Sequence, residues 1–338
     1  MSQPSTKPGY CMPQKTISTR HQCGFSLIEL MISITIGLLI MAGMLVVFAN
    51  TSSTRNEVER MSRQIENGRY ASELLRDDLR HAGYYGELNT GALGVPALPD
   101  PCSTTLATWA GALKIHVQGV DGYTSGALSC LPSDVKLGTD VIVIRRTKTC
   151  KAGIDAGCDA AVDGLPYLQV PLCATETVTH TLDIKSSTNF NVHQNKNCST
   201  TAALRQFLLY IYYVSTTNGS GQNVPTLKRA EFTGAGFAIT PLVEGIENMQ
   251  INYGVDADGD GDPDSYVTAP TTAIDWSNVV TVKVGLLARN IDASPGYADS
   301  KTYKLLDLDV ASPGDGYRRH VYTTLVRLQN PSGRRDIP

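Results

Sequence analysis

The residues best suited to bind a ligand lie in an acidic segment, 256–264, which carries an aspartate at alternate positions. Alternate aspartates followed by Gly261 match the opening of an EF-hand-type calcium loop, where a tight glycine turn lets successive oxygens face one cation. The pattern departs at its twelfth position, where Val267 replaces the bidentate glutamate. We therefore predict a Ca²⁺ site that holds a loop between strands, outside an EF-hand domain; the alternative is a solvated acidic turn. The predicted ligands are Asp256, Asp258, Asp260, Asp262 (through its backbone carbonyl) and Asp264.

The cysteines form a second group with chemistry of its own. Of eight, Cys11 and Cys23 precede a long apolar segment and six follow it. An even set beyond such a segment indicates disulfides in an oxidising compartment, although six cysteines allow 15 pairings. We predict sequential pairing, with free buried thiols as the alternative; a zinc site is disfavoured because the C-x₂-C spacing does not occur. The predicted pairs are Cys102–Cys130, Cys150–Cys158 and Cys173–Cys198.

The sequence contains none of the common catalytic motifs: there is no G-x-S-x-G, no H-E-x-x-H and no P-loop. Its histidines are scattered and lack a partner motif, so we predict that the protein is not an enzyme. The net charge of −3 argues against nucleic-acid binding driven by overall charge. Two basic clusters, 318–320 and 334–335, are interpreted as solvated surface.

Residues 24–49 are predicted to anchor the chain at a membrane. They are apolar for about 20 residues after Glu29, enough to cross ~30 Å of hydrocarbon. The preceding leader, residues 1–24, is basic at Lys7, Lys15 and Arg20, which places it in the cytoplasm by the positive-inside rule. The apolar run is longer than the h-region of a secretory signal, and no A-x-A cleavage site follows it. From these features alone, the segment is an uncut membrane anchor.

The residues around the start of this segment, Gly24-Phe25-Ser26-Leu27-Ile28-Glu29, resemble the processing site of type IV prepilins and pseudopilins. The resemblance implies that a prepilin peptidase cuts between Gly24 and Phe25 and methylates the new N-terminus. It also implies that Glu29 pairs with the N-terminal amine of a neighbouring subunit during assembly. A carboxylate within a membrane helix costs roughly 2.5–3.5 kcal/mol, and a first-turn position favours negative charge. The alternative for Glu29 is that it extends to the cytoplasmic interface.

The remaining chain predicts an α+β fold, in which a long N-terminal helix packs on an antiparallel β-sheet. Residues 25–49 form its transmembrane half, 50–83 an amphipathic stem helix ended by Gly83, and 84–338 a disulfide-containing β-rich domain. Residues 241–254 predict a short helical turn followed by a strand that alternates at Met249, Ile251 and Tyr253. Other strands are predicted at 113–118, 139–147, 178–184, 204–214, 226–232, 279–287 and 322–328. The predicted apolar stripe of the stem is Val58, Met61, Ile65, Gly68, Leu75 and Leu79.

Three late segments, LVEGIENMQINYGVD, SNVVTVKVGLLAR and RRHVYTTLVRLQN, resemble PilW-type minor pilins. The resemblance implies a subunit of the bacterial inner membrane with a periplasmic globular domain, later incorporated into an extracellular pilus. There it would prime assembly, form the tip complex, or both, in adhesion, motility or DNA uptake. The implied partners are other minor pilins, the major pilin, the prepilin peptidase, the assembly platform and a tip adhesin.

Three alternatives stay open at this point. A J-like minor pseudopilin of type II secretion shares much of the same plan. A membrane-tethered, calcium-dependent exported enzyme belongs to another class. A DNA-binding pilus component would use the basic clusters at Arg318-Arg319-His320 and Arg334-Arg335 for phosphate contacts.

Overall fold

The computed structural model describes residues 24, 26–95, 97–186, 189–190 and 192–335. The predicted leader therefore lies outside the described residues except for Gly24, and Phe25 at the predicted cleavage site lies outside them as well. Helix α1 runs over Leu27–His81. The chain divides into two units, Met1–Asn56 and Glu57–Pro338, which are described separately.

In the first unit, α1 is long and apolar enough to cross a membrane, and none of its most apolar stretch is buried. Its large apolar side chains, from Leu27 to Phe48, are exposed. Exposed apolar residues on this scale require a covering environment, such as lipid or other helices. The segment is thus suited to anchor the chain in a membrane.

In the second unit, the buried part of α1 is shorter than the predicted apolar stripe and begins at Gln64. Val58, Met61 and Ile65 are exposed, at 57%, 42% and 46% of their surface, so this part of the predicted stripe is wrong. Helical periodicity identifies residues that share a face but not how far a covering sheet extends along it. The buried residues are Gln64, Gly68, Ala71, Leu75, Asp78 and Leu79.

The first sheet of the second unit has seven strands, paired antiparallel, in the order β1-β2-β5-β3-β4, with β6 joined to β5 and β7 to β6. A short 3₁₀ turn, Thr90–Ala92, and helix α2, Leu106–Gly111, precede it. The strands are β1 Val117–Val120, β2 Val141–Thr147, β3 Pro166–Gln169, β4 Thr181–Ile184, β5 Leu204–Ser215, β6 Thr226–Phe232 and β7 Phe237–Glu244.

The later elements are β8 Ile246–Val255, β9 Ser265–Val267, α3 Ala273–Ser277, β10 Val279–Arg289, β11 Thr302–Leu305, β12 Leu308–Ala311, β13 Arg319–Arg327 and α4 Gln329–Gly333. The second sheet has four antiparallel strands in the order β13-β10-β8-β9, and β11 pairs with β12 in a separate hairpin. A long helix followed by antiparallel sheets confirms the predicted α+β class.

Strand β5 separates two hydrophobic cores. Its even-numbered residues, such as Tyr212, join a core that contains the stem residues Leu75 and Leu79 together with residues of both sheets. Its odd-numbered residues, such as Ile211, join a second core with Trp109 of α2. A strand buried on both faces reads as a continuous apolar run, which is why its sequence shows little alternation.

The helical turn predicted at the start of residues 241–254 is wrong. The segment continues β7, which pairs with β6 up to Thr226↔Glu244, and Gly245 alone separates it from β8. Gly245 has a φ of +81°, and a Cβ there would lie 2.6 Å from the carbonyl oxygen of Arg289, so only glycine makes this bend. Strand pairing, a non-local interaction, overrides the local turn signal.

Other predicted boundaries move by a few residues. The connection between the stem and the first predicted strand contains the 3₁₀ turn and α2, and the strand predicted at 113–118 begins at Val117. Short strands β3, β11 and β12 were not predicted, because four residues carry too little pattern. The stem ends as predicted: His81 is its last residue, and Gly83 turns the chain with a φ of +72°.

Candidate functional site

The first turn of α1 is closed by a reciprocal pair of side-chain hydrogen bonds. The backbone N–H of Ser26 donates to Oε2 of Glu29 at 3.1 Å, and the backbone N–H of Glu29 donates to Oγ of Ser26 at 3.2 Å. This is a capping box, which satisfies donors that a helix N-terminus otherwise leaves unpaired. The S-x-x-E spacing is visible in the sequence, but Glu29 was not predicted to cap the helix.

The capping box leaves Glu29 exposed at the start of an apolar helix. Gly24 is also exposed and lies outside the helix, whereas Phe25 is outside the described residues. Because Phe25 is not among the described residues, the cleavage between Gly24 and Phe25 stays a prediction. Chemically, the site presents a carboxylate that can accept a further hydrogen bond or a positive charge.

The acidic segment 256–264 folds into a loop between β8 and β9 that gathers three of its aspartates. One carboxylate oxygen from each of Asp256, Asp258 and Asp260 lies within 4.8 Å of the others. Asp256 is fully buried, and its two oxygens accept hydrogen bonds from the N–H groups of Gly259 at 2.6 Å and Gly261 at 2.9 Å. The glycines predicted to form the turn thus wrap the backbone around Asp256.

The other two predicted ligands have different surroundings. The Asp264 carboxylate accepts a hydrogen bond from the backbone N–H of Ala257 at 2.6 Å, which closes the loop. The Asp262 side chain is 80% exposed and lies 3.9 Å from the guanidinium of Arg327. The structure therefore brings the carboxylates of Asp256, Asp258 and Asp260 together. The predicted ligand atom of Asp262 is its backbone carbonyl oxygen, which does not depend on where the side chain lies.

Arg335 joins this loop to the C-terminal end of the chain. Its Nη1 donates to Asp256 Oδ2 at 2.8 Å, and its Nη2 donates to Asn278 Oδ1 at 2.6 Å. Its side chain is only 20% exposed, so the interpretation of this arginine as solvated surface is wrong. The partner lies 79 residues earlier in the chain, a distance over which sequence spacing carries no signal.

The carboxyl groups of Asp256 and Asp258 have opposite pKa shifts. Burial favours the neutral form of Asp256, but hydrogen bonds from Arg335, Gly259 and Gly261 outweigh it and lower the pKa. At Asp258 a hydrogen bond from the N–H of Asp260 favours the charged form, yet burial and the neighbouring aspartates raise the pKa. The loop thus concentrates negative charge that Arg335 only partly neutralises.

Two known families match this chain, one near its N-terminus and one in its C-terminal part. Residues 211–330, which include the acidic loop, match the family described as Type IV Pilus-assembly protein W. Residues 19–45 match the prokaryotic N-terminal methylation motif. The chain is a PilW-type minor pilin of the type IV pilin superfamily.

Among solved structures, the chain is similar to a type IV-like pilin from Thermus thermophilus, at 13% sequence identity and a TM-score of 0.37. The similarity covers 79% of this chain and 96% of that one. No curated protein sequence matches the chain.

The six cysteines beyond the anchor of this minor pilin form three disulfides, with Cα–Cα distances of 5.3, 6.0 and 5.0 Å. They follow the sequential pairing: Cys102–Cys130, Cys150–Cys158 and Cys173–Cys198. Cys102 is buried in the core around α2, so the first bond links a long connection to packed residues. Cys150–Cys158 closes a segment without helix or strand, whereas the two longer segments contain α2 and β1, and β4, respectively.

One cluster resembles a hydrolytic site but lacks a sequence motif. His193 places Nδ1 2.5 Å from Oε2 of Glu176 and Nε2 2.7 Å from Oγ1 of Thr181, an order of hydroxyl, imidazole and carboxylate. The sequence analysis missed it because the three residues are separated along the chain. Glu176 also accepts a hydrogen bond from the N–H of Gln194 at 2.7 Å. Since all three residues lie between Cys173 and Cys198, their hydrogen bonds hold together the loop that this disulfide closes.

The prediction that the basic cluster 318–320 is solvated surface is wrong at Arg319. This side chain is 1% exposed and contacts three carboxylates: Glu247 at 2.5 Å, Asp299 at 3.0 Å and Asp315 at 2.7 Å. Neighbouring Arg318 pairs with Glu57 of the stem and stacks on Tyr297 at 4.2 Å. Arg319 therefore cannot make the phosphate contact that the DNA-binding alternative requires of it, because its guanidinium is buried.

Proposed function

We propose that this minor pilin is made as a membrane-anchored precursor, cut by a prepilin peptidase between Gly24 and Phe25, and then moved into a growing pilus. The observation that carries the proposal is the match of residues 19–45 to the N-terminal methylation motif. The basic leader favours a cytoplasmic N-terminus and a periplasmic globular domain. The three disulfides fit that oxidising side of the membrane.

In this proposal Glu29 guides docking into the filament. Its carboxylate is exposed at the edge of an apolar helix, where an unpaired charge is costly. The amine released on a neighbouring subunit supplies a positive charge, and the capping box with Ser26 holds the carboxylate at the helix start. The neighbours would be other minor pilins and the major pilin, in a complex that primes assembly or forms the tip and can carry an adhesin.

The test is the mass and N-terminus of the protein from cells with and without an active prepilin peptidase. We expect a methylated phenylalanine at position 25 that is lost without the peptidase. Gly24→Val should block cleavage, whereas Gly37→Ala in the span, where an added Cβ meets nothing within 4 Å, should not. A chain that begins at Met1 in both strains would reject the proposal.

The output of the assembly is tested by deletion. If the protein primes a type IV pilus, its loss removes surface pili and leaves protein secretion intact. The reverse result would favour the J-like pseudopilin of type II secretion.

We also propose that the loop 256–264 binds Ca²⁺ through the carboxylates of Asp256, Asp258 and Asp260 and the backbone carbonyl of Asp262. The convergence of three carboxylate oxygens within 4.8 Å supports this, as does the raised pKa of Asp258, whose repulsion a cation would relieve. Calcium prefers six to eight oxygens, so water supplies the remaining ligands, including the one that a glutamate at the position of Val267 would provide. The ion would hold the β8–β9 connection in one conformation.

The calcium proposal is tested by thermal unfolding of the full chain in Ca²⁺, Mg²⁺ or chelator. At 100 times the dissociation constant, a ligand adds about 2.7 kcal/mol to the stability of the folded state. We expect Ca²⁺ to raise the midpoint, and Asp258→Asn to reduce this effect. Asp309→Asn, on the exposed side of β12, is the control. An equal response of both variants would reject the site.

A further inference from the structure

A cavity of about 180 Å³ lies beside the end of the stem, where the chain after Gly83 meets the C-terminal helix α4. Its lining comes from the residues around Thr90, from the segment before β1, from α3 and from α4. Three of the lining side chains are basic, Lys114, Arg334 and Arg335, and none is acidic. The wall of this cavity therefore carries one sign of charge.

Two of these cations lack a carboxylate partner among the described residues. Lys114 Nζ donates to the carbonyl oxygen of Leu93 at 3.3 Å. Arg334 donates to Thr90 Oγ1 and to the carbonyl oxygen of Gly83, the latter at 3.3 Å. These acceptors are neutral, and only Arg335 meets an anion, Asp256. Burial lowers the pKa of Arg334, as expected where its charge is poorly hydrated.

Of two further residues near the cavity, Arg145 adds positive charge, whereas His116 does not. His116, 3% exposed, lines the cavity and places Nε2 2.7 Å from the carbonyl oxygen of Val279. Burial, with a smaller contribution from the charges of Arg334 and Arg335, lowers the pKa of His116 to about 4, so the ring is neutral at pH 7. Beyond it on β2 lies Arg145, fully buried, whose guanidinium donates to neutral acceptors and stacks 4.9 Å from the Trp109 ring.

Capping of the stem explains only part of this arrangement. Asn330 donates to the carbonyl oxygen of Ala82 at 3.1 Å, and Arg334 to that of Gly83, so the C-terminal segment does satisfy carbonyls at the helix end. Arg334 has five N–H donors, and capping uses few of them. Lys114 takes no part in the cap and yet faces the same cavity.

We propose that this cavity binds an oxyanion, a carboxylate or phosphate group, between Lys114 Nζ and the Arg334 guanidinium. A guanidinium offers parallel donors that match two oxygens of such a group, and a lysine adds a point charge. In a partly buried cavity these charge-assisted hydrogen bonds are stronger than in open solvent. The oxyanion comes either from a small free ion or from an acidic side chain of a neighbouring pilin, and the second source rests on the proposed function.

The first arm of the test uses the full-length protein in detergent micelles, titrated with inorganic phosphate and with citrate by calorimetry. We expect binding at low ionic strength that weakens about tenfold or more in Lys114→Gln and in Arg334→Gln. Lys196→Gln, which changes an exposed lysine elsewhere, should bind as the parent does. Circular dichroism checks folding; if Arg334→Gln unfolds, Lys114→Gln carries the test, because Lys114 bonds only one loop carbonyl in the described structure.

The second arm replaces Lys114 with a photo-crosslinking residue in piliated cells. A crosslink to an acidic residue of another subunit, without binding of free phosphate or citrate, assigns the site to a presented side chain. The proposal is overturned if both arms are negative, or if the variants and Lys196→Gln bind equally. The calorimetry needs neither cleavage nor assembly, so its outcome is separate from that of the proposed function.

Discussion

Gly68 shows how one residue determines the packing of the stem. A Cβ at this position would lie 2.1 Å from Cε2 of Tyr322 on β13, closer than two carbons can approach. Glycine costs up to about 1 kcal/mol in a helix relative to alanine. Its presence therefore reflects the close approach of the tyrosine ring, where the smaller residue avoids a clash.

We predict that Gly68→Val lowers the free energy of unfolding by about 1–3 kcal/mol, because overpacking forces the ring or the helix to move. Urea unfolding of the full chain measures this. The matched control is Gly37→Ala, where an added Cβ meets nothing within 4 Å. Equal midpoints for the two variants would contradict the packing argument.

At the scale of an element, α1 is held to the first sheet by a buried polar group as well as by its apolar face. Arg146 of β2 donates to Asp78 Oδ1 from Nε at 3.1 Å and from Nη2 at 2.6 Å. The Tyr212 hydroxyl of β5 donates to the other oxygen of Asp78. The carboxylate therefore joins the stem to two strands at once.

Asp78→Ala should destabilise the protein by about 3 kcal/mol, because it leaves Arg146, whose side chain is only 15% exposed, without its counter-charge. The adjacent Asp77→Ala changes a side chain that is 71% exposed and should cost little. Denaturant unfolding compares the two. If both lose the same stability, helix propensity rather than the buried ion pair is responsible.

The loops around β13 are held by the carboxylates on Arg319, which makes them sensitive to acid. At Asp299 burial is outweighed by hydrogen bonds from Arg319 and Tyr303, and at Asp315 the hydrogen bond from Arg319 is the largest effect; both pKa values are lowered. Groups with a lowered folded-state pKa stabilise the fold above their unfolded pKa and lose this contribution as pH falls through the folded value.

We therefore expect the free energy of unfolding to fall as pH drops below about 4, near the unfolded pKa of aspartate. Asp315→Asn should make this dependence shallower, since one of the two groups no longer titrates. The control is Asp309→Asn on the exposed hairpin, which should keep the parent slope. Urea titrations between pH 7 and pH 2.5 supply the curves, and identical slopes in all three proteins would refute the assignment.

At the scale of the whole molecule, the disulfides stabilise the long connections of the second unit. The bonds Cys102–Cys130 and Cys173–Cys198 close loops with sequence separations of 28 and 25, and Cys150–Cys158 one of 8. Loop-closure entropy predicts a contribution of about 3.5 kcal/mol for each longer loop and about 2.5 kcal/mol for the short one.

Replacing each pair by serine should therefore destabilise the chain least at Cys150–Cys158. Thermal unfolding of the three double variants gives the order, and full reduction of the parent provides the lower limit. A larger loss at Cys150–Cys158 than at either long loop would mean that native packing around the bond, rather than chain entropy, dominates.

Features with a local physical cause were predictable from the sequence. The apolar helix follows from a continuous hydrophobic run, the end of the stem from Gly83, and the long strand β5 from its β-branched and aromatic residues. The acidic loop follows from alternating aspartates and glycines, whose turn preference is local as well.

The partners of the charged residues were decided only by tertiary structure. Arg319 meets Glu247 across 72 residues of chain, and Arg335 meets Asp256 across 79. No local spacing relates such pairs, and an arginine at a strand end has the same sequence pattern whether it is solvated or buried. The covered length of the stem was likewise decided by the extent of the sheets, because periodicity reports a helix face but not its contacts.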